Sequence, residues 1–145
     1  MPQRDLYHQA VRQALIADGW TITHDPYRVV YGKRYGFIDL AAEIGLAAER
    51  DTDKIAVEIK SFIGASVVAD LAVAIGQYLM YQSWLARSDP TRRPYLAIDQ
   101  NTASEVFSDI SAQVLIEDHT IRLIVVDLEA EGIVEWRNPP PADRL

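Results

Sequence analysis

The sequence predicts a mixed β-sheet with helices laid over its faces, an α/β (α+β) fold. Three observations predict it. The chain has 145 residues, 49% apolar and 24% charged, which suits one domain with its own core. Its first extended runs are separated by tight turns, in the manner of hairpin strands. Its later runs alternate with helical stretches, in the manner of strands covered by helices.

The elements follow in order. Leu6, Tyr7, Ala10, Val11, Ala14 and Leu15 recur at helical spacing, and Gly19 is the stop signal. Trp20–His24 alternates as a strand until Asp25-Pro26 breaks it. A short strand is expected over Arg28–Tyr31, then a turn at Gly32-Lys33-Arg34. Phe37–Glu43 and Leu46–Arg50 are extended candidates around Gly45, readable as one bent or bulged strand. After a polar turn at Asp51-Thr52-Asp53, Lys54–Phe62 is expected to close a hairpin. Ser66 is a candidate N-cap for a long helix reaching Arg87, with Val67, Leu71, Ala74, Ile75, Tyr78, Leu79 and Leu85 on its apolar stripe. Asp89–Pro94 reads as a loop, Tyr95–Ile98 as a strand and Ser104–Glu117 as a helix. Ile121–Asp127 and Ile133–Trp136 complete the strands. Trp20 and Trp136 are expected to pack in the core or at its edge. Residues 1–137 form the expected domain, and 138–145, with three consecutive prolines, an irregular tail.

Composition excludes several classes of function. There is no cysteine, hence no disulfide framework, thiolate nucleophile or thiolate metal site. The start of the chain lacks a basic-then-apolar signal, and no apolar run approaches the roughly 20 residues of a membrane span. A cytoplasmic location is expected, with no membrane partner. The net charge of −7, from 14 basic and 21 acidic residues, works against autonomous binding of nucleic acid. Yet Pro26–Ile38 carries Arg28, Lys33 and Arg34 and no acid. That run reads either as a solvated hairpin or as a local contact for a phosphate.

The chemistry gathers around "KIAVEIKSF", residues 54–62. Alternation sets Ile55, Val57 and Ile59 on one face and Ala56, Glu58 and Lys60 on the other. A Glu-x-Lys pair on a strand is commonplace, but Asp39 lies nineteen residues before Glu58 on a strand able to pair beside it. The long helix adds Gln77 and Tyr81, at i and i+4 on one face. Two neighbouring carboxylates repel each other, and a divalent cation relieves that repulsion. Mg2+ takes oxygen ligands, commonly one or two carboxylates with water and phosphate oxygen. A lysine beside them is placed to orient water or to stabilise transition-state charge. The set is suited to metal-dependent phosphodiester hydrolysis.

Asp39, Glu58-Ile59-Lys60 and a following long helix resemble the PD-(D/E)XK nuclease superfamily. "QYLMY" is similar to the Gln-x-x-x-Tyr helix motif of its RecB-like branch. More narrowly, "RDLYHQAVRQALIADGWTITHDPY", "IDLAAE" with "LAAER", and "KIAVEIKSFIG" resemble the XisH family, controlling factors for fdxN element excision in cyanobacteria. That resemblance runs from Met1 to about Arg137. It implies a restriction-endonuclease-like mixed sheet flanked by helices. It implies Asp39 and Glu58 as metal ligands for Mg2+ or Mn2+, with the Ile59 carbonyl as a backbone ligand. Lys60 becomes the catalytic lysine, and Gln77 and Tyr81 brace the site or meet substrate. DNA is the implied substrate, a small XisI-like protein the implied partner, and DNA rearrangement during heterocyst development the implied setting. Ile38, not proline, precedes Asp39, a departure from the superfamily signature.

Each residue also has a plainer reading. Glu43 and Glu49 rival Asp39, and for Glu49 the favoured reading is a structural salt bridge to Lys54 or Lys60. His8, between Asp5 and Arg12, reads as a boundary histidine or as a proton or substrate contact. Gln77 and Tyr81 read as site residues or as rim positions. The same fold, catalytically silent, would serve a regulator acting through its partner. A homo-oligomer is compatible with all of these.

Overall fold

A computed structural model gives the architecture, described for residues 3–45 and 53–139. Helix α1 (Gln3–Ala17) leads into strands β1 (Thr21–His24), β2 (Tyr27–Tyr31), β3 (Arg34–Ile38), β4 (Leu40–Ile44) and β5 (Asp53–Ile59). Then come α2 (Val67–Ser88), β6 (Arg92–Asp99), α3 (Gln100–Glu105), α4 (Ile110–His119), β7 (Leu123–Asp127) and β8 (Gly132–Arg137). Six strands form one mixed sheet in the order β1-β4-β5-β6-β7-β8, while β2 and β3 form a separate ribbon. The β5–β6 and β6–β7 pairs are parallel, as the intervening helices require, and the others are antiparallel.

Each face of the sheet buries its own core. On one, Val11, Ala14 and Leu15 of α1 pack on Leu40, Ala42, Ile55, Val57, Tyr95, Ala97, Ile124 and Val126. Trp20 and Trp136 seal its rim with ring centroids 5.6 Å apart. On the other, Ala74, Ile75 and Tyr78 of α2 join Ala103, Phe107 and Ala112 over Leu96, Ile98, Leu123 and Val125. Tyr78 is buried to 1% exposure with its hydroxyl satisfied, donating to the Pro94 carbonyl and accepting from Arg122 N–H. A third cluster seats the ribbon on α2 and β5 through Val29, Ile38, Ala56, Tyr81 and Leu85.

Ser66 caps α2 as expected, its hydroxyl accepting from Ala69 N–H at 3.2 Å. Gly19, at φ +98, supplies the left-handed residue that ends α1. Several expectations are corrected. The Phe37–Glu43 run is two strands, broken at Asp39, where the chain leaves the ribbon and enters the main sheet. The antiparallel partner of β5 is Leu40–Ile44, and Leu46–Arg50 lies outside the described residues. β5 ends at Ile59, so Lys60–Ile63 forms a loop, anchored where Lys60 N–H donates to the Ala97 carbonyl. Ser104–Glu117 is two helices, separated where Asp109 caps α4 by accepting from Ser111 N–H. β6 begins at Arg92, inside the expected loop. Pro94 disguised it, because proline is a poor strand signal. Val67, expected in the apolar stripe of α2, is half exposed.

Candidate active site

The face alternation of β5 is realised. Ile55, Val57 and Ile59 pack toward α1, and Ala56 packs toward α2. Glu58 shares the α2 side and is buried, with 7% of its surface exposed. The β4–β5 register pairs Leu40 with Val57 and Ala41 with Ala56. Asp39 directly precedes the first rung of that ladder, which sets it next to Glu58, the residue after Val57. Its Oδ2 accepts a hydrogen bond from Ile59 N–H at 2.7 Å, which fixes the carboxylate at the end of β5.

Tyr81 joins them from α2. Its hydroxyl donates to the Phe37 carbonyl at 3.2 Å, two residues before Asp39. Burial raises the Tyr81 pKa above the ordinary tyrosine value, and the charges of Glu58 and then Asp39 raise it further. The phenol is therefore neutral across the physiological range and serves as a hydrogen-bond donor. Gly36 permits this contact, since a Cβ there would meet Tyr81 Cε1 at 2.9 Å. Gln77, one turn earlier, has a buried Oε1 with no hydrogen-bond partner among the described residues.

Beside the carboxylates opens a cleft of about 410 Å³, lined by Asp39, Ile59 and Lys60 together with Tyr7, His8 and Asp70. Lys60 makes no ion pair among the described residues. Glu58 itself is not among the residues that line the cleft.

Of the rival acids, Glu43 falls elsewhere. Glu43 is four residues along from Asp39, about 13 Å of extended chain. It pairs there with Arg92 at 3.4 Å and Lys54 at 4.0 Å. Arg92 is buried between Glu43 and Asp89 (2.9 Å), donates to the Ile55 carbonyl and lies over the Tyr27 ring. Glu43 thus belongs to a structural ion network. Glu49 lies outside the described residues. His8 borders the cleft, but its Nε2 donates to Asp25 Oδ1 at 2.7 Å, while Arg12 Nε donates to Oδ2 of the same carboxylate. This clamp ties α1 to the turn before the ribbon and gives His8 a structural task.

Two cleft residues were missed in the sequence. Asp70, in the first turn of α2, accepts from Gly64 N–H at 2.9 Å and holds the loop that follows Lys60. Tyr7 lies on α1, and its pKa is raised by burial and then by the Asp99 charge. An acid in the first turn of the long helix was a weak signal for the former. Nothing in the sequence marked Tyr7 beyond its helical spacing.

Among the described residues no three His, Asp or Glu side chains converge on one point. Asp39, Glu58 and the Ile59 carbonyl nevertheless form an all-oxygen set of the kind a hard cation accepts, with two carboxylates in adjacent positions. The residues fit Mg2+ or Mn2+. Among the described residues no helix is long and apolar enough to cross a membrane.

Fold and site together define a mixed α/β protein with paired carboxylates at the end of a central strand and a lysine in the adjoining cleft. The family model "XisH protein" matches residues 1–134. The chain belongs to the XisH family. It is similar over its length to the crystal structure of an XisH family protein from Nostoc punctiforme PCC 73102. Identity is 34% and the TM-score 0.82, with 92% of this chain and 100% of that one covered. It is equally similar to an fdxN element excision controlling factor protein from Anabaena variabilis. Identity is 34% and the TM-score 0.82, with 93% and 100% covered. No curated protein matches the chain.

Proposed function

We propose that this chain acts in DNA excision control as a Mg2+- or Mn2+-dependent DNA phosphodiesterase of the PD-(D/E)XK kind. The observation that carries the reading is the β4–β5 register, which sets Asp39, a residue of the cleft that holds Lys60, next to the buried Glu58. Asp39 and Glu58, with the Ile59 carbonyl, would hold the cation. Bound there, the ion would make water more acidic and polarise a phosphoryl oxygen. The Ile59 N–H bond orients Asp39 Oδ2 and leaves Oδ1 to ligate. Lys60 orients the attacking water and stabilises charge building on the phosphate. Tyr81 is a positioning residue: it stays protonated and braces the backbone just ahead of Asp39.

The experiment is incubation with plasmid and single-stranded DNA in the presence of Mg2+ or Mn2+, beside Lys60→Ala. The wild type is expected to cut, and the variant to be slower by a factor on the order of 100 or more. Absence of cutting, or cutting unchanged in Lys60→Ala, contradicts the reading.

The acidic balance of −7 favours a second reading, a nuclease-fold regulator working through a small XisI-like partner. Exposed apolar side chains near the start of α2 (Ile63, Val67, Val68 and Val73) would suit such a contact. Its mark is co-purification with the companion and DNA binding only by the complex. Autonomous cutting without a stable complex counts against it.

A further inference from the structure

The β2–β3 ribbon stands outside the main sheet, and its two faces differ sharply. The inner face buries Val29 and Ile38 against Tyr81 and Leu85 of α2. On the outer face, the register sets Arg28 opposite Phe37 and Val30 opposite Tyr35. These four side chains therefore form one patch. Tyr35 is 58% exposed and Phe37 51%. Their rings meet edge to face, with centroids 5.8 Å apart, and the Arg28 guanidinium lies 4.7 Å over Tyr35. Lys33 stands exposed in the turn at the tip, and Arg34, opposite Tyr31 on the other face, is exposed beside it. Packing on α2 uses only the inner face, so nothing in the fold requires large aromatics outside.

We infer that this outer face is a docking platform for single-stranded nucleic acid, with unpaired bases stacking on Tyr35 and Phe37, Arg28 meeting phosphate on the same face, and Lys33 and Arg34 adding positive charge at the ribbon tip. The inference rests on the proposed phosphodiesterase reading and assigns that site its strand preference. Charge argues for a nucleic acid: Pro26–Ile38 carries three cations and no acid in a chain whose net charge is −7. Aromatic exposure argues for a single strand. An unpaired base offers its π-face to a ring, whereas a duplex keeps those faces inside its own stack. Continuity argues for the site. β3 runs directly into Asp39, so Phe37 stands two residues, about 7 Å of extended chain, from the first carboxylate. A strand laid along the ribbon would thus be led toward the Lys60 cleft.

The test is fluorescence anisotropy of a labelled single-stranded oligonucleotide and of the duplex of the same sequence, with divalent ions chelated so that no cutting intervenes. The wild type is expected to prefer the single strand. Tyr35→Ala with Phe37→Ala is expected to weaken single-strand binding about tenfold or more, while Tyr35→Trp, which keeps a stacking ring, binds as the wild type does. Neutralising Arg28, Lys33 and Arg34 together is expected to reduce the slope of log affinity against log salt by about 2. The substituted side chains are exposed, and circular dichroism of each variant verifies the fold.

Preference for the duplex, or unchanged single-strand binding by the aromatic and charge variants, overturns the inference. So does a wild type that binds neither probe, or aromatic substitutions whose effect is on association with a second copy or another protein. The two readings fail separately. Binding that follows the ribbon variants without any cutting leaves the platform and removes the hydrolase. Cutting that depends on Lys60 but ignores the ribbon does the reverse.

Discussion

Asp39 occupies the one position where the chain passes from the ribbon into the main sheet, and that passage puts its carboxylate within reach of Ile59 N–H. In the sequence, types and spacing made Asp39, Glu58 and Lys60 candidates, and the family resemblance favoured Asp39 over its rival acids. The sequence did not carry the strand break that aims Asp39, since Phe37–Glu43 has no proline or glycine at residue 39 to mark it. The Tyr81 hydroxyl has a single backbone partner there. Tyr81→Phe is expected to cost about 1 kcal/mol in a urea titration. Cleavage by that variant is expected to fall through mispositioned Asp39 while the pH profile keeps its shape. Asp89 gives a pH signature. Burial would raise its pKa, but hydrogen bonds from Arg92 and Tyr27 and the charges of Arg92 and Lys54 bring it below the ordinary carboxylate value. A carboxylate depressed in the folded state stabilises the fold above its unfolded pKa, near 4, and loses that contribution as pH falls through the folded value. Acid unfolding of Asp89→Asn is therefore expected to show a shallower decline in stability below about pH 4 than the wild type.

Helix α2 and strand β5 carry the site between them. The long helix was legible because its N-cap and apolar spacing agree, and Ser66→Ala is expected to lower stability by about 1 kcal/mol by calorimetry. β6 was legible only in its apolar half. Its first residues, Arg92-Arg93-Pro94, read as loop because their roles come from tertiary partners. Arg92 is buried only because Glu43, Asp89, the Ile55 carbonyl and the Tyr27 ring surround it. Arg92→Ala leaves those partners without their cation and is expected to destabilise the protein by about 3 kcal/mol in chemical denaturation. Gly36→Ala would press on the Tyr81 ring. It is expected to reduce cleavage more than stability, because the ring it displaces braces the turn before Asp39.

In the whole molecule, two helical layers and a separate ribbon converge on one end of β5. The mixed sheet was legible from the order of hairpin strands followed by helix-covered strands. The independence of the ribbon was not, because its strands have the same alternation as sheet strands and differ only in what α2 leaves uncovered. The family match over residues 1–134 and the two solved relatives agree with this architecture. We propose one cation site shared by Asp39 and Glu58, although only Asp39 lines the cleft. Calorimetric titration of the protein with Mn2+, wild type beside Glu58→Gln, decides whether that site exists. Saturable binding that is lost in the variant, with the fold retained by circular dichroism, is the expected result. Absence of binding by the wild type, or equal binding by both proteins, would contradict the account.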